Sequence, residues 1–252
     1  MLDPTKRFSK RVENYLKYRP SYPPAMIPLL NVDCGLTPDA IVADIGSGTG
    51  FLSELFLRNG NRVIGIEPNA EMRAAGDQLL AKYSNFSSID ATAEATTLAD
   101  ASIDFVTAGQ AFHWFVRDQA RAEFERILKP EGWVVIVWNG IRVEKSPLMT
   151  GYQDVLLRYG TDYHDVSREI ADAYVETFFA PGQGKFARFE FHQLFDFEGL
   201  KGRMLSASYA PDPDHPNYEP ILREIRQVFD ANETDGKVVF DYETEVYYGR
   251  FS

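Results

Sequence analysis

Along the chain the spacing of apolar side chains switches between a period near two and a period near 3.6, and the switches mark the elements. Ile41, Val42, Ala43 and Ile45 form a short apolar run that predicts a buried strand. Beyond the following glycines, residues 51–57 carry apolar side chains three and four apart, so a helix opens there. The alternation repeats: strands are expected over Arg62–Glu67, Phe86–Asp90, Ala101–Gly109 and Trp133–Asn139, with helices over Ala70–Lys82 and Ala120–Leu128. That regularity predicts a doubly wound parallel sheet as far as Asn139.

Both flanks read differently. Before the first strand, Lys6–Lys17 has helical spacing, Tyr18–Pro24 breaks it with three prolines, and Ala25–Leu30 predicts a short helix. After Gly140, Pro147–Arg158 and Ser167–Phe179 read as helices joined by a polar loop. Lys185–Phe197 alternates phenylalanines with polar residues and predicts strand six. Helices over Gly199–Ser206 and Tyr218–Asn232 follow, then a last strand over Lys237–Phe251 with Val239, Asp241, Glu243, Glu245 and Tyr247 on one face. The fold class is α/β: a Rossmann-like sheet, mostly parallel with an antiparallel last strand, carrying a helical cap insertion.

Composition narrows the function. A net charge of −11 argues against nucleic acid as a partner, because its binders need basic stripes. Cys34 is the single cysteine, which excludes disulfides within the chain and cysteine-based zinc sites, and no metal is expected. No signal peptide or uninterrupted apolar window of membrane-spanning length is seen, so no membrane partner and a cytoplasmic setting are expected.

The chemistry concentrates at the end of the first strand, in Asp44-Ile45-Gly46-Ser47-Gly48-Thr49-Gly50. A strand, a glycine turn and a helix bring bare backbone close to a nucleotide. A dinucleotide fingerprint wants a small residue at its sixth place, where Phe51 stands, and a P-loop wants Lys-Ser or Lys-Thr after the glycines. Acid-hydrophobic-Gly-x-Gly-x-Gly instead resembles motif I of the class I S-adenosylmethionine-dependent methyltransferases. Glu67 falls at the carboxyl end of strand two, where a carboxylate can accept bonds from both ribose hydroxyls. At the exit of strand four, Phe112, His113, Trp114 and Phe115 offer apolar walls and one group that exchanges a proton near neutral pH.

The ordered set Tyr18-Arg19-Pro20-x-Tyr22-Pro23, the glycine motif, Glu67-Pro68, Ala93-Glu94 and Ala111-Phe112-His113-Trp114-Phe115 resembles the type 11 class I methyltransferases, in the branch similar to trans-aconitate methyltransferase. The resemblance implies S-adenosyl-L-methionine as cofactor. It implies cofactor contacts from Arg19, Asp44, Gly46, Ser47, Gly48, Gly50, Glu67, Pro68, Ala93, Glu94 and Gln110, with Ala93 and Glu94 on the adenine. The chain then divides into an N-terminal helical lid (1–34), a cofactor-binding core (35–140), a helical cap (141–184) and a C-terminal part completing the sheet (185–252).

The acceptor expected is a small molecule, methylated at a carboxylate or hydroxyl oxygen. A hydroxyl needs a base, for which His113 is the candidate, and a carboxylate needs a clamp, for which Arg19, Arg142 and Arg203 are candidates. Tyr15, Trp114 and Trp138 are candidate walls around the acceptor. Three competing classes are each opposed by particular residues. A cofactor-binding module without catalysis is opposed by the intact acid and glycines, and a nicotinamide oxidoreductase by Phe51. A nucleic-acid methyltransferase is opposed by the acidic charge and by Gly109-Gln110-Ala111-Phe112 in place of Asn/Asp-Pro-Pro-Tyr/Phe. Oligomeric state is not legible.

Overall fold

A computed structural model describes residues 12–161, 163, 177–182 and 184–251. A seven-stranded sheet in the order β3-β2-β1-β4-β5-β7-β6 forms its centre. The strands are β1 (Ile41–Ile45), β2 (Arg62–Ile66), β3 (Phe86–Ile89), β4 (Ile103–Gly109), β5 (Leu128–Ile141), β6 (Gly184–Phe195) and β7 (Val238–Gly249). Strands β1 to β5 pair in parallel, and β7 runs against both of its neighbours. The antiparallel last strand expected from the sequence is therefore present.

The helices are α1 (Val12–Tyr18), α2 (Met26–Cys34), α3 (Phe51–Arg58), α4 (Ala70–Leu80), α5 (Arg117–Ile127), α6 (Pro147–Tyr159), α7 (Phe197–Leu205) and α8 (Tyr218–Asp230). The helix expected from Lys6 is described only from Val12 onward. The one expected over Ser167–Phe179 lies almost wholly outside the described residues.

Both faces of the parallel part are covered, which is why its strands read as near-continuous apolar runs. On one face Met26, Leu30, Leu52 and Phe56 pack against Val42, Val63, Phe105 and Val137. On the other, Phe124 and Ile127 of α5 join Phe178 and Phe179 over Ala43, Ile64, Val106 and Ile136. A third cluster lies over the outer strands, where Leu148, Tyr152, Leu200, Met204, Ile221 and Ile225 bury Phe240 and Tyr242. A one-sided stripe on α8 explains that packing: Ile221, Ile225 and Phe229 lie four apart and are buried, with charged residues between them.

Strand β5 opens at Leu128, five residues earlier than the apolar run suggests. Leu128 pairs with Ile103, and pairing resumes at Phe105 with Trp133, so residues 129–132 are looped out of the ladder. Lys129 closes the loop on Asp104 at 2.8 and 2.9 Å, and Asp104 also accepts from the Ile41 amide. Helix α5 likewise opens at Arg117 rather than Ala120. The Val116 amide at its N-terminus is held by the Glu94 carboxylate at 2.8 Å, a partner from a different loop.

Candidate active site at the carboxyl ends of the strands

Strand order reverses at β1, whose neighbours β2 and β4 leave in opposite directions; this is the switch point at which open α/β sheets bind ligands. The glycine turn sits there. The amides of Gly46 and Ser47 both bond the Ile66 carbonyl, and the Gly50 amide bonds the Ser47 carbonyl. Gly46, Gly48 and Gly50 have φ of +68°, +56° and +86°, a region in which side chains strain the backbone. Space is restricted too: a Cβ on Gly46 would lie 2.5 Å from the Ala111 Cβ, and one on Gly50 2.5 Å from Leu80. The motif is thus required twice, by backbone conformation and by packing.

Asp44 lies fully buried beneath this turn. It accepts from Ser53 at 2.6 Å and from Thr107 at 3.0 Å. Burial pushes its carboxyl up to about 6, opposed by those two hydrogen bonds. Glu67 continues from β2 and ties two loops together, accepting from the Gly48 amide and the Asn69 amide, each at 2.8 Å. Burial raises this carboxyl as well, and the two amides work against the rise. Each Glu67 oxygen keeps acceptor capacity beyond its one amide, so the group can serve a ligand hydroxyl without releasing the turn. Pro68, half-buried, carries the chain onward to Asn69, whose side chain caps α4 through the Met72 amide.

A cleft opens above, lined by Tyr22, Asp44, Gly46, Ser47, Gly48, Thr49, Phe51, Leu52 and Gly109. Its residues fit an adenosyl sulfonium cofactor on three observations. The glycines leave backbone bare, Glu67 offers paired acceptor oxygens beside Gly48, and Thr49 holds a buried hydroxyl that has no partner among the described residues. Tyr22 belongs to the Tyr18-Arg19-Pro20-x-Tyr22-Pro23 motif, which by itself assigns it no role. It reaches the cleft because Gly109 has no side chain: a Cβ there would collide with the Tyr22 hydroxyl.

The loop after β3 is fastened from outside. Glu123 accepts from the Thr96 amide at 2.7 Å and its hydroxyl at 2.5 Å, and Arg126 beside it holds that carboxyl down at about 2. Ala93 is buried in this loop, whereas the Glu94 carboxylate is engaged at the start of α5. Asp90 is mostly exposed and pairs with Arg73 at 3.0 Å.

On the opposite wall, Gln110 adopts φ +59°, unusual for a residue with a side chain. Its amide bonds Val137 and its side chain donates to the Asn139 carbonyl at 2.8 Å. Asn139 is a hub that pattern reading missed: its side chain also accepts from Thr244 at 2.6 Å and donates to the Ser21 carbonyl at 3.4 Å. A short 3-10 turn, Phe112–Trp114, follows Gln110. The His113 ring lies 4.5 Å from Trp114 and 6.2 Å from Trp138, so three of the expected acceptor-side residues form one cluster. His113 is exposed, and Phe112 is core, edge-on to Phe115, Trp138 and Phe178. Tyr15 lies on α1, with its side chain outside those described. Arg19 is not on the cleft lining: it donates to the Ser206 hydroxyl at 2.9 Å and carbonyl at 3.2 Å, at the end of α7. Arg142 pairs with Glu190 and Glu243 on the outer strands.

Residues 43–136 match the model of a methyltransferase domain family. The chain is 27% identical over 245 residues to the uncharacterized methyltransferase-like protein C25B8.10 of Schizosaccharomyces pombe, covering 95% of this chain and 93% of that one. It is 37% identical over 134 residues to the uncharacterized methyltransferase Rv3342 of Mycobacterium tuberculosis, covering 52% of this chain and 51% of that one. Among solved structures, one from Anaeromyxobacter dehalogenans, provisionally assigned as a type II methyltransferase, superposes with a TM-score of 0.67 at 19% identity over 93% of this chain and 98% of that one. A SAM-dependent methyltransferase of Aquifex aeolicus superposes at 0.52 and 14% identity over 99% of both. The solved structures share the fold, and the domain match falls on the strands and turns that build the cleft. Residues 43–136 thus match a methyltransferase domain, and the chain is an S-adenosylmethionine-dependent methyltransferase.

Proposed function

We propose that the chain methylates a carboxylate or hydroxyl oxygen of a small-molecule acceptor, with the acceptor lying between the glycine turn and the His113–Trp114–Trp138 cluster. The observation that supports this reading is the packing of Ala111 and Phe115, which flank His113 and Trp114 in the chain, against the glycine turn. Ala111, which precedes the 3-10 turn, occupies the space beside Gly46 that a side chain would need, and a Cβ on Gly46 would also lie 3.7 Å from the Phe115 ring. The net charge of −11 supports a small acceptor over a polyanionic one.

S-adenosylmethionine supplies a methyl carbon already activated on a sulfonium, so the protein's share is alignment and exclusion of water. Alignment of this kind contributes up to roughly 7–11 kcal/mol when the reacting atoms are held in near-attack geometry. Asp44 fixes the glycine turn from below through Ser53 and Thr107, and Glu67 fixes it from the side through the Gly48 amide. Arg19, Ser47, Pro68, Ala93, Glu94 and Gln110 remain cofactor contacts in this proposal, Arg19 through the N-terminal lid and Ala93 and Glu94 at the adenine. Trp114 and Trp138 wall the acceptor, and His113 takes the proton when that acceptor is a hydroxyl. In this reading the N-terminal helices act as a lid, and the segment after Gly140 as a cap.

The test is His113→Ala, assayed for methyl transfer and for S-adenosylhomocysteine affinity. The expected result is a loss of turnover of about 100-fold with affinity within twofold of wild type. Unchanged turnover across a hydroxyl panel would remove His113 from the chemistry.

A further inference from the structure

We propose that Arg203, with Tyr152, forms a buried clamp for a carboxylate on the methyl acceptor, set apart from the cofactor cleft; this rests on the small-acceptor reading above. Arg203 projects from α7 and is 3% exposed. Its Nε donates to the Tyr242 hydroxyl at 2.8 Å, and its guanidinium lies over the rings of Phe240 and Tyr242 at 5.6 and 5.5 Å. Its Nη1 is buried with no hydrogen-bond partner, and among the described residues no carboxylate pairs with it. The Tyr152 hydroxyl is in the same condition, fully buried and without a partner. Both side chains pack on Phe240, with the Tyr152 ring edge-on to it at 4.8 Å.

A permanent positive charge in an apolar setting is costly unless an anion answers it. Three buried carboxylates elsewhere are answered by a cation: Glu123 has Arg126, and Glu243 and Glu245 have Arg188. At Arg203 the surrounding groups are phenols, which soften the charge without neutralising it, and Arg19 adds a second guanidinium acting on Tyr152 and Tyr242. Burial also holds the Tyr152 phenol above its ordinary range, so it stays a donor. One guanidinium nitrogen and one phenol are a donor pair suited to the two oxygens of a monoanionic carboxylate. A phosphate dianion would need more positive charge than is placed here.

Position supports an acceptor handle. Tyr242 pairs with Ile141 and Thr244 with Asn139, so Tyr242 is two residues along β7, roughly 7 Å, from Thr244, the cross-strand partner of the Asn139 hub. Asn139 in turn holds Gln110 at the cleft wall and Ser21 of the segment that carries Arg19 and Tyr22. Tyr18 closes over α7, packed so tightly on Gly202 that a Cβ there would collide with its ring. The clamp therefore lies past the strand ends, under the N-terminal segment. A carboxylate held there is a grip on the far end of the acceptor rather than the atom methylated.

The test is thermal unfolding with saturating S-adenosylhomocysteine and added acetate, succinate, citrate or phosphate, against sodium chloride at equal ionic strength. The wild type is expected to gain about 3 °C or more from at least one carboxylate and less from phosphate. In Arg203→Met that gain is expected to vanish, while the unliganded melting temperature stays level or rises, since an unanswered buried charge has been removed. Tyr152→Phe, which keeps the ring packing, is expected to halve the gain or more and decides the matter if Arg203→Met does not fold. The proposal is overturned if no carboxylate stabilises the wild type, if phosphate does so better, or if either folded variant keeps the full gain. It is also overturned if Arg203→Met loses its response to S-adenosylhomocysteine. A wild type that does not respond to S-adenosylhomocysteine but gains from succinate would contradict the cofactor site and leave the clamp standing.

Discussion

The two halves of the sheet are assembled by different means. From β1 to β4 the turn is made mostly by backbone: glycine amides bond the next strand's carbonyl, and Glu67 bonds Gly48 and Asn69, all within a few tens of residues, with the Thr107–Asp44 bond as the long-range side-chain exception. From β5 to β6 it is made by side chains meeting over long separations. Thr244 meets Asn139 at 105 residues, Arg188 meets Glu245 at 57, and Arg203 meets Tyr242 at 39. A backbone-built site fixes its ligand class through a motif. A side-chain-built one can be refitted without disturbing the sheet, which is where acceptor choice would be expected to reside.

The largest expected effect falls on the backbone-built half. Gly46→Ala should lower stability by about 1–3 kcal/mol and weaken S-adenosylhomocysteine binding at least about tenfold, because φ is +68° and Ala111 fills the space. Calorimetric titration and a melting curve on the same preparation check it; a variant indistinguishable from wild type would mean the turn is more compliant than its geometry shows.

Next is the acid beneath the turn. Asp44 rises from 3.8 to about 6 on folding, so between about pH 4 and pH 6 the folded chain holds a proton that the unfolded chain has lost. Its contribution to stability therefore falls as pH rises through that window and levels off above it. Relative to wild type, Asp44→Asn should gain on the order of 3 kcal/mol or less between pH 4 and pH 7, read from denaturant midpoints at each pH. A gap that does not change with pH would contradict the burial argument. Glu67 is raised by burial in the same direction and should reinforce the trend in the wild type.

A smaller and opposite signature is expected in the side-chain-built half. Arg188 is half-exposed, yet it pairs at 3.2 and 3.1 Å with Glu243 and Glu245, both nearly buried. Arg188→Met should cost about 1–2 kcal/mol, discounted for solvent screening, and leave S-adenosylhomocysteine affinity within twofold. Smallest of all, Arg158→Ala removes an exposed pair with Glu224 between α6 and α8 and should move the melting temperature by about 1 °C or less. If Arg188→Met instead weakened cofactor binding strongly, the separation between the halves would fail.

The same division explains what could be read from the sequence. The order of strands and helices and the glycine turn were legible because period and glycine spacing are local, and Glu67 because a strand's end fixes its place. Tyr22 was visible as part of a proline-rich segment, but its seat over Gly109 depends on a contact 87 positions away in the chain. Asn139 looked like the polar end of a strand; its role comes from pairing with Thr244. Leu128 reads as the end of a helix in the sequence because its pairing with Ile103 sits beyond a looped-out segment that interrupts any strand pattern. Arg203 was a candidate by residue type alone, and nothing local signals that it is buried among phenols.

The most direct measurement is calorimetric titration of the wild type and of Glu67→Ala with S-adenosylhomocysteine, with NAD as the control ligand. The account predicts micromolar affinity for S-adenosylhomocysteine, none for NAD, and a loss of roughly 10- to 100-fold in Glu67→Ala, the size expected when a charged hydrogen-bonding group is removed. Equal affinity in the variant, or preference for NAD, would contradict the claim that the glycine turn and Glu67 together form the cofactor site.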